Sequence, residues 1–151
     1  MALCNNKGDL LIYDTDNLRL KITKKDRKDP ISLVKYSPNG RYLAVGGVDM
    51  VIYIYDSERK YNLKSKLKGH VSRVCHLDFD KDSNIIQSTS SSYDILYHDL
   101  NNSKLIQGGA SSFKDIEWST WNIVFGWPVQ GIWPPCSSGD DINSVDRDKD
   151  K

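Results

Sequence analysis

The sequence has little of what marks membrane, secreted or nucleic-acid-binding proteins. No apolar run approaches the roughly 18 residues of a spanning helix, and the first residues do not have the basic-then-apolar layout of a secretory signal. The cysteines number only three, are scattered and form no Cys-x-x-Cys motif, which favours reduced thiols over a disulfide framework. A net charge of +1 gives no general attraction to nucleic acid or to an anionic membrane, so neither is predicted as a partner.

Signatures of catalysis and of metal binding are also missing. There is no Gly-x-Ser-x-Gly motif and no glycine-rich phosphate loop, so the histidines His70, His76 and His98 and the hydroxyls of 88–92 favour structural roles. Cys75 and His76 are adjacent, and neighbours on a strand point to opposite faces, which makes chelation awkward and favours a core cysteine. We therefore predict a protein that is not an enzyme and that needs no cofactor or metal.

The clearest local pattern is the stretch 31–56. It predicts three short strands joined by tight turns at 37–40 and 46–49, because apolar residues alternate or cluster in short runs that glycine and proline interrupt. The first turn reads Ser-Pro-Asn-Gly, in which proline fixes φ while asparagine and glycine tolerate positive φ. The composition, 38% hydrophobic and 27% charged over 151 residues, is that of one folded domain.

This pattern recurs along the chain. The predicted strands that end at Asp14, Asp56 and Asp99 finish 42 and 43 residues apart, the spacing of WD-repeat propeller blades of four strands each. We predict an all-β fold of WD40-type β-propeller blades: about three four-stranded antiparallel blades plus partial ones, which form an incomplete propeller. The predicted units of this single partial propeller are a partial one at 1–30, then 31–70, 71–111 and 112–136, and the start of a further blade at 137–151.

The WD motif itself is imperfect. A standard repeat links a histidine, a serine or threonine, a turn aspartate and a tryptophan; Asp49 fits the aspartate slot six residues before Tyr55, whereas Ser92 stands in that slot before His98. No unit is therefore expected to hold the whole network, and packing of strand faces is expected to hold the blades together, so that replacing His70 costs little. The residues assigned structural WD roles are Asp49, Tyr55, Asp56, Gly69, His70, Asp99, Trp118 and Trp133.

The run 115–145 resembles one family in particular. Trp118, Thr120-Trp121, Gly126, Gly131-Ile132-Trp133-Pro134 and Asp141-Ile142-Asn143 fit a blade of the echinoderm microtubule-associated protein-like (EMAP-like) family. The resemblance implies a segment of the second, carboxy-terminal propeller of that family. It also implies a non-enzymatic protein-interaction module in the cytoplasm, on the microtubule cytoskeleton, with tubulin or microtubules as partner. The alternative is a generic WD40 scaffold of another complex: ciliary, ubiquitin-ligase or RNA-processing.

Two features are candidates for partner contact. The basic residues Lys24, Lys25, Arg27 and Lys28, with two aspartates between and after them, leave a local charge of +2 that suits an acidic partner. A solvated loop between blades is the alternative for this basic segment. Trp127 precedes a proline next to a turn and is expected to be exposed, whereas Trp118 and Trp133 are expected to pack between blades.

So few units cannot close a ring of six or seven blades. The chain is expected to be a fragment, a truncated gene model or a degenerate paralogue. An open fan would leave apolar end faces, which the rest of a propeller or self-association would cover.

Overall fold

A computed structural model describes residues 1–129, 132 and 142–148, and strands dominate them. Within these residues there is no helix long and apolar enough to cross a membrane. The first sheet has three antiparallel strands in the order β1-β2-β3. They are β1 (Ala2–Cys4), β2 (Leu10–Tyr13) and β3 (Leu20–Lys24).

Two further sheets have four antiparallel strands each. The second sheet runs in the order β4-β5-β6-β7, with β4 (Ile31–Tyr36), β5 (Tyr42–Gly47), β6 (Ile52–Asp56) and β7 (Asn62–Leu67). The third runs β8-β9-β10-β11, with β8 (Val74–Phe79), β9 (Ile85–Ser90), β10 (Ile95–Asp99) and β11 (Lys104–Leu105). The sheets are open and side by side, which confirms the all-β, blade-like fold.

The turn between β4 and β5 forms as its residues predict. The Ser37 backbone N–H donates to the Tyr42 carbonyl at 2.8 Å, and the Ser37 hydroxyl accepts from the Tyr42 N–H at 2.9 Å. Gly40 has a φ of 72°, a conformation that costs glycine little because it has no Cβ. These bonds set the register in which Tyr36 faces Leu43.

The repeated aspartates at the ends of β2, β6 and β10 have one common function. A side-chain oxygen of Asp14, Asp56 and Asp99 accepts the backbone N–H two residues further on, at 2.9, 3.0 and 2.7 Å. Each aspartate thus begins an Asx turn into the outer strand of its sheet. The hydrogen bonds from Asn102 hold the pKa of the Asp99 carboxyl below its usual range. The 42- and 43-residue spacing therefore arises because the same Asx turn recurs in each sheet.

The core consists of two apolar layers between successive sheets. The first packs Leu10 and Ile12 against Leu43, Val45 and neighbouring tyrosines. The second packs Ile52 and Ile54 against Leu77, Phe79 and Ile86. All five strand positions of β6 are buried, since this strand contributes side chains to both layers. Burial on both faces explains why the stretch 52–56 has no polar alternation.

The segment after β11 departs from the expected strands. A short helix, α1 (Gly109–Ser112), leads into a turn at 113–115, and Trp118 makes only an isolated bridge to Asp80. Irregular chain occupies 121–126, and a 3-10 turn, Trp127–Val129, follows it. Residues 113–126 thus form no regular strand, although the sequence pattern predicts a blade unit of strands at 112–136. The reason is that backbone bonds here go to the end of the third sheet: Ser119 N–H donates to the Phe79 carbonyl at 2.8 Å.

Candidate interaction surface

Five connections lie at the same end of the three sheets, because antiparallel strands return to the same end at every second connection. They are residues 5–9, 25–30, 48–51, 68–73 and 91–94, and we call this end the upper face. Contacts between sheets keep it in register: Ile31 N–H donates to the Asn5 carbonyl at 3.5 Å, and the Ser32 hydroxyl donates to the Val74 carbonyl at 3.0 Å. The upper face contains six of the residues predicted from the sequence: Lys25, Arg27, Lys28, Asp49, Gly69 and His70.

Arg27 is buried beneath this face rather than exposed on it. It is 7% exposed, its guanidinium makes an ion pair with Asp49, and its Cζ lies 4.8 Å from the centre of the Tyr53 ring. Gly47 makes room for it, since a Cβ there would lie 2.6 Å from Arg27 Nη2. Arg27 thus binds the turn aspartate, Asp49, which a histidine binds in a standard repeat. This position corrects the interpretation of all four basic residues as one surface cluster.

The third sheet carries a polar network that the sequence reading missed. His70 Nδ1 lies 3.0 Å from both carboxylate oxygens of Asp94, and His70 Nε2 lies 2.7 Å from the Ser88 hydroxyl. The carboxylate therefore comes from Asp94, two residues after Ser92, and the expectation of a network without an aspartate is wrong. Burial raises the pKa of Asp94, but hydrogen bonds from Ser90 and His70 outweigh it and leave the pKa below its usual range.

His98 occupies the slot of the standard tryptophan and is buried. Its Nε2 lies 3.0 Å from the Lys68 carbonyl, so Nε2 carries a proton and donates. Burial lowers the pKa of this imidazole, and the bond to the Lys68 carbonyl only partly opposes that effect. A neutral histidine therefore fills the core position. Gly69, just before His70, has a φ of 142° and packs against Leu96.

The other predicted contact residues differ in exposure. Lys25 and Lys28 are exposed; Lys25 Nζ lies 3.8 Å from Asp9. Lys24 is half-buried and donates to the Asn62 side chain at 3.3 Å. Trp127 is 46% exposed, as its sequence position predicts. The basic segment thus presents two cations at the surface rather than four, and one of them, Lys25, pairs with Asp9.

Trp118 is fully buried and packs between units, as expected. Its ring centre lies 6.0 Å from that of Tyr97 in β10. Among the other structural positions, Tyr55 and Asp56 are also buried. Trp133 lies outside the described residues, so its predicted packing stays a prediction.

Two apolar side chains on the upper face have an unusual backbone conformation. Met50 and Tyr93 occupy equivalent turns, 43 residues apart, with φ of 63° and 61°. The equivalent residue of the first sheet is Gly8, with φ of 81°. This left-handed region costs a side-chain-bearing residue about 1–2 kcal/mol. Both strained residues are nevertheless large, and they are 42% and 63% exposed.

An inner cluster of polar residues joins three consecutive units. Lys35 Nζ on β4 lies 3.0 Å from the Asp78 carboxylate on β8, and Asp78 has no exposed surface. The same carboxylate accepts from the Thr120 hydroxyl at 3.0 Å and from the Trp121 N–H at 2.7 Å. Sequence reasoning missed this cluster. The only available signal was that Lys35, Asp78 and Trp121 recur 43 residues apart.

Together these features define a segment of a WD-type β-propeller: successive antiparallel blades whose turn carboxylates are held by a neighbouring arginine or histidine. The family model for the second β-propeller of echinoderm microtubule-associated protein matches residues 1–151. The chain belongs to this family.

Curated relatives agree with that assignment. The chain is 39% identical to the 77 kDa echinoderm microtubule-associated protein of Lytechinus variegatus over 150 residues, which cover 97% of this chain and 22% of that protein. It is 40% identical to echinoderm microtubule-associated protein-like 3 of Mus musculus over 146 residues, 94% of this chain and 16% of that protein. The chain thus spans about a fifth of the length of these relatives.

The solved structure of U3-55K shares the fold. It superposes with a TM-score of 0.65 at 16% identity, over 70% of this chain and 34% of that chain. The names of the curated relatives refer to microtubule association and not to a reaction.

Proposed function

We propose that this chain is a non-enzymatic WD40 interaction module of a cytoplasmic, cytoskeletal protein, with tubulin or microtubules as its partner. The observation that carries the proposal is the family match over all 151 residues, to a propeller of microtubule-associated proteins. His70 lies between Asp94 and Ser88 in the order of a Ser-His-Asp triad, but Ser88 has no exposed surface, so a substrate cannot reach its hydroxyl and the arrangement favours a structural role. The described residues also hold no cluster of three or more potential metal ligands.

We place the partner contact on the upper face. Lys25 and Lys28 supply exposed positive charge there, and Val48, Met50 and Val71 supply exposed apolar surface. Apolar side chains beside cations suit a protein surface that is both acidic and partly apolar. Trp127 is a further exposed candidate, although it belongs to a different connection.

Co-sedimentation with microtubules tests this function. The wild-type chain is expected to pellet with microtubules or to bind soluble tubulin. Replacing both surface lysines, Lys25→Glu and Lys28→Glu, is expected to weaken binding by about tenfold at low salt, because it reverses charges that steer and hold an acidic partner.

The matched control reverses two charges at the opposite end of the sheets, Arg19→Glu and Lys104→Glu, where both residues are exposed. This variant is expected to bind as the wild type does. Absence of binding by the wild-type chain to both tubulin forms would overturn the proposal and leave the generic scaffold. Equal loss in both double variants would reject the upper face as the contact.

A further inference from the structure

A cleft of about 200 Å³ opens at the upper face beside the third sheet. One wall is the start of β8 and the turn after β9, with Arg73, His76 and Ser91. The opposite wall includes Phe125 and Asn143. None of the contact residues predicted from the sequence lines it.

The charge of this cleft is one-sided. Arg73 is the one residue with a permanent charge among the described residues that line it, and no described carboxylate is part of the lining. Arg73 is exposed, and no ion pair of its side chain occurs within the described parts of the chain. A guanidinium with a free planar fork is the side chain best suited to bind a carboxylate through two parallel hydrogen bonds.

Hydroxyl groups beside Arg73 add further donors. The hydroxyls of Ser72 and Ser91 lie 2.5 Å apart, so one donates to the other and the second proton stays available. His76 Nε2 donates to the Asn143 carbonyl at 3.3 Å, and His76 Nδ1 lies 2.9 Å from the Thr89 hydroxyl. The histidine thus anchors the cleft wall, and Ser91 is the member of the serine pair that lines the cleft.

An aromatic edge completes the cleft. The rings of Tyr93 and Phe125 meet edge to face, with centres 5.9 Å apart. Tyr93 remains 63% exposed at a turn position where its backbone is strained and where the first sheet has Gly8. A strained backbone beneath an exposed aromatic side chain is the kind of outlier that points to a functional role.

We propose that this cleft binds a carboxylate side chain of an acidic peptide segment in the partner protein. Arg73 and the Ser91 hydroxyl hold the carboxylate, and the Tyr93–Phe125 edge covers the methylene groups that carry it. The proposal rests on the proposed function, a protein-interaction module. It adds where the partner binds, in this cleft, and what the bound segment contains, an acidic side chain. It does not depend on which acidic protein is bound.

Fluorescence anisotropy with two labelled peptides tests the subsite. One peptide alternates glutamate and glycine, and the other replaces every glutamate by glutamine. The full chain is expected to bind the glutamate peptide saturably and to bind the glutamine peptide at least about tenfold more weakly, the scale of a charge-assisted pair.

Variants distinguish peptide binding in the cleft from general electrostatic attraction to the chain. Arg73→Gln is expected to weaken binding of the glutamate peptide about tenfold, whereas Arg19→Gln, the same change at an exposed position on the opposite end, leaves it within twofold. Arg73→Lys keeps the charge without the fork and is expected to fall between them. Tyr93→Asn, which suits a left-handed turn, is expected to weaken binding without loss of thermal stability.

The outcomes are distinct from those of the microtubule experiment. Equal affinity of Arg73→Gln and wild type, equal affinity for both peptides, or no saturable binding of the glutamate peptide would each overturn the subsite. Binding of the peptide through Arg73 without any binding of tubulin would support the subsite and reject tubulin as the partner. Tubulin binding that does not change when Arg73 is substituted would instead support tubulin as the partner and reject the subsite.

Discussion

Asp78 is a single residue on which three units of the chain converge. Its carboxylate has no exposed surface, and its partners are the ammonium group of Lys35 and the donors of Thr120 and Trp121. A buried ion pair adds little net stability when compared with apolar residues, but removal of one partner leaves the other desolvated and unpaired. The inner cluster therefore specifies how the units are arranged more than it strengthens them.

We expect Asp78→Ala to lower the free energy of unfolding by about 3–5 kcal/mol, because Lys35, the N–H and hydroxyl of Thr120 and the Trp121 N–H all lose this acceptor. Urea unfolding followed by circular dichroism measures the change. Lys81→Ala is the control: Lys81 pairs with Glu117 at the surface, where both side chains are mostly exposed, and its loss is expected to cost less than about 1 kcal/mol. Similar costs for the two variants would contradict a specific role of the inner cluster.

The turn between β5 and β6 shows how an element can be formed against the local preference of one of its residues. The pairing of Val45 with Tyr53 and the bonds of Asp49 leave Met50 in the left-handed region. Val48 lies in the same turn with an ordinary φ, and the two side chains are almost equally exposed, 42% for Met50 and 44% for Val48. The sheet and the Arg27–Asp49 pair thus override the preference of methionine.

We expect Met50→Gly to stabilise the chain by about 0.5–1 kcal/mol, because glycine adopts this φ without a Cβ clash. Val48→Gly should instead destabilise it by about 0.5–1 kcal/mol, since only the added backbone entropy of the unfolded state remains. Thermal unfolding of both variants shows whether the change in stability is positive in Met50→Gly and negative in Val48→Gly. A loss of stability in Met50→Gly would show that its side chain makes packing contacts worth more than the strain.

For the molecule as a whole, the uncovered face of the first sheet is the feature expected to control self-association. Leu3, Leu11 and Tyr13 lie one period before Val45, Tyr53 and Tyr55, which the neighbouring sheet buries. Leu3 pairs with Leu11 across β1 and β2 and is 44% exposed. The first sheet thus has apolar residues at the positions that are buried in the second sheet, but no described residue covers them fully.

We therefore expect the chain to self-associate as its concentration rises, because an uncovered apolar sheet face lowers its free energy by pairing with another. Sedimentation velocity should show a shift toward monomer in Leu3→Lys. Leu63→Lys, at a position of similar exposure on the outer strand β7, should leave the distribution unchanged. A wild-type chain that is monomeric at all concentrations would contradict this expectation.

Much of this molecule could be predicted from local pattern. The Asx-forming aspartates, the Ser-Pro-Asn-Gly turn and the apolar runs are each determined by neighbours within a few residues, so strand positions and the 42- and 43-residue period follow from the chain alone. The stretch 31–56 forms strands at nearly the places expected. The family, too, could be recognised from motifs in 115–145.

The polar contacts were decided by the tertiary structure. Whether Arg27 is exposed or buried depends on Asp49, Gly47 and Tyr53, which lie far along the chain and meet it only after the sheets pair. Asp94 replaces the expected turn aspartate because side-chain geometry, not sequence spacing, determines which carboxylate reaches His70. The segment after β11 follows bonds to the third sheet rather than its own strand pattern. Local preference sets the repeat, and the packing of one unit on the next sets its chemistry.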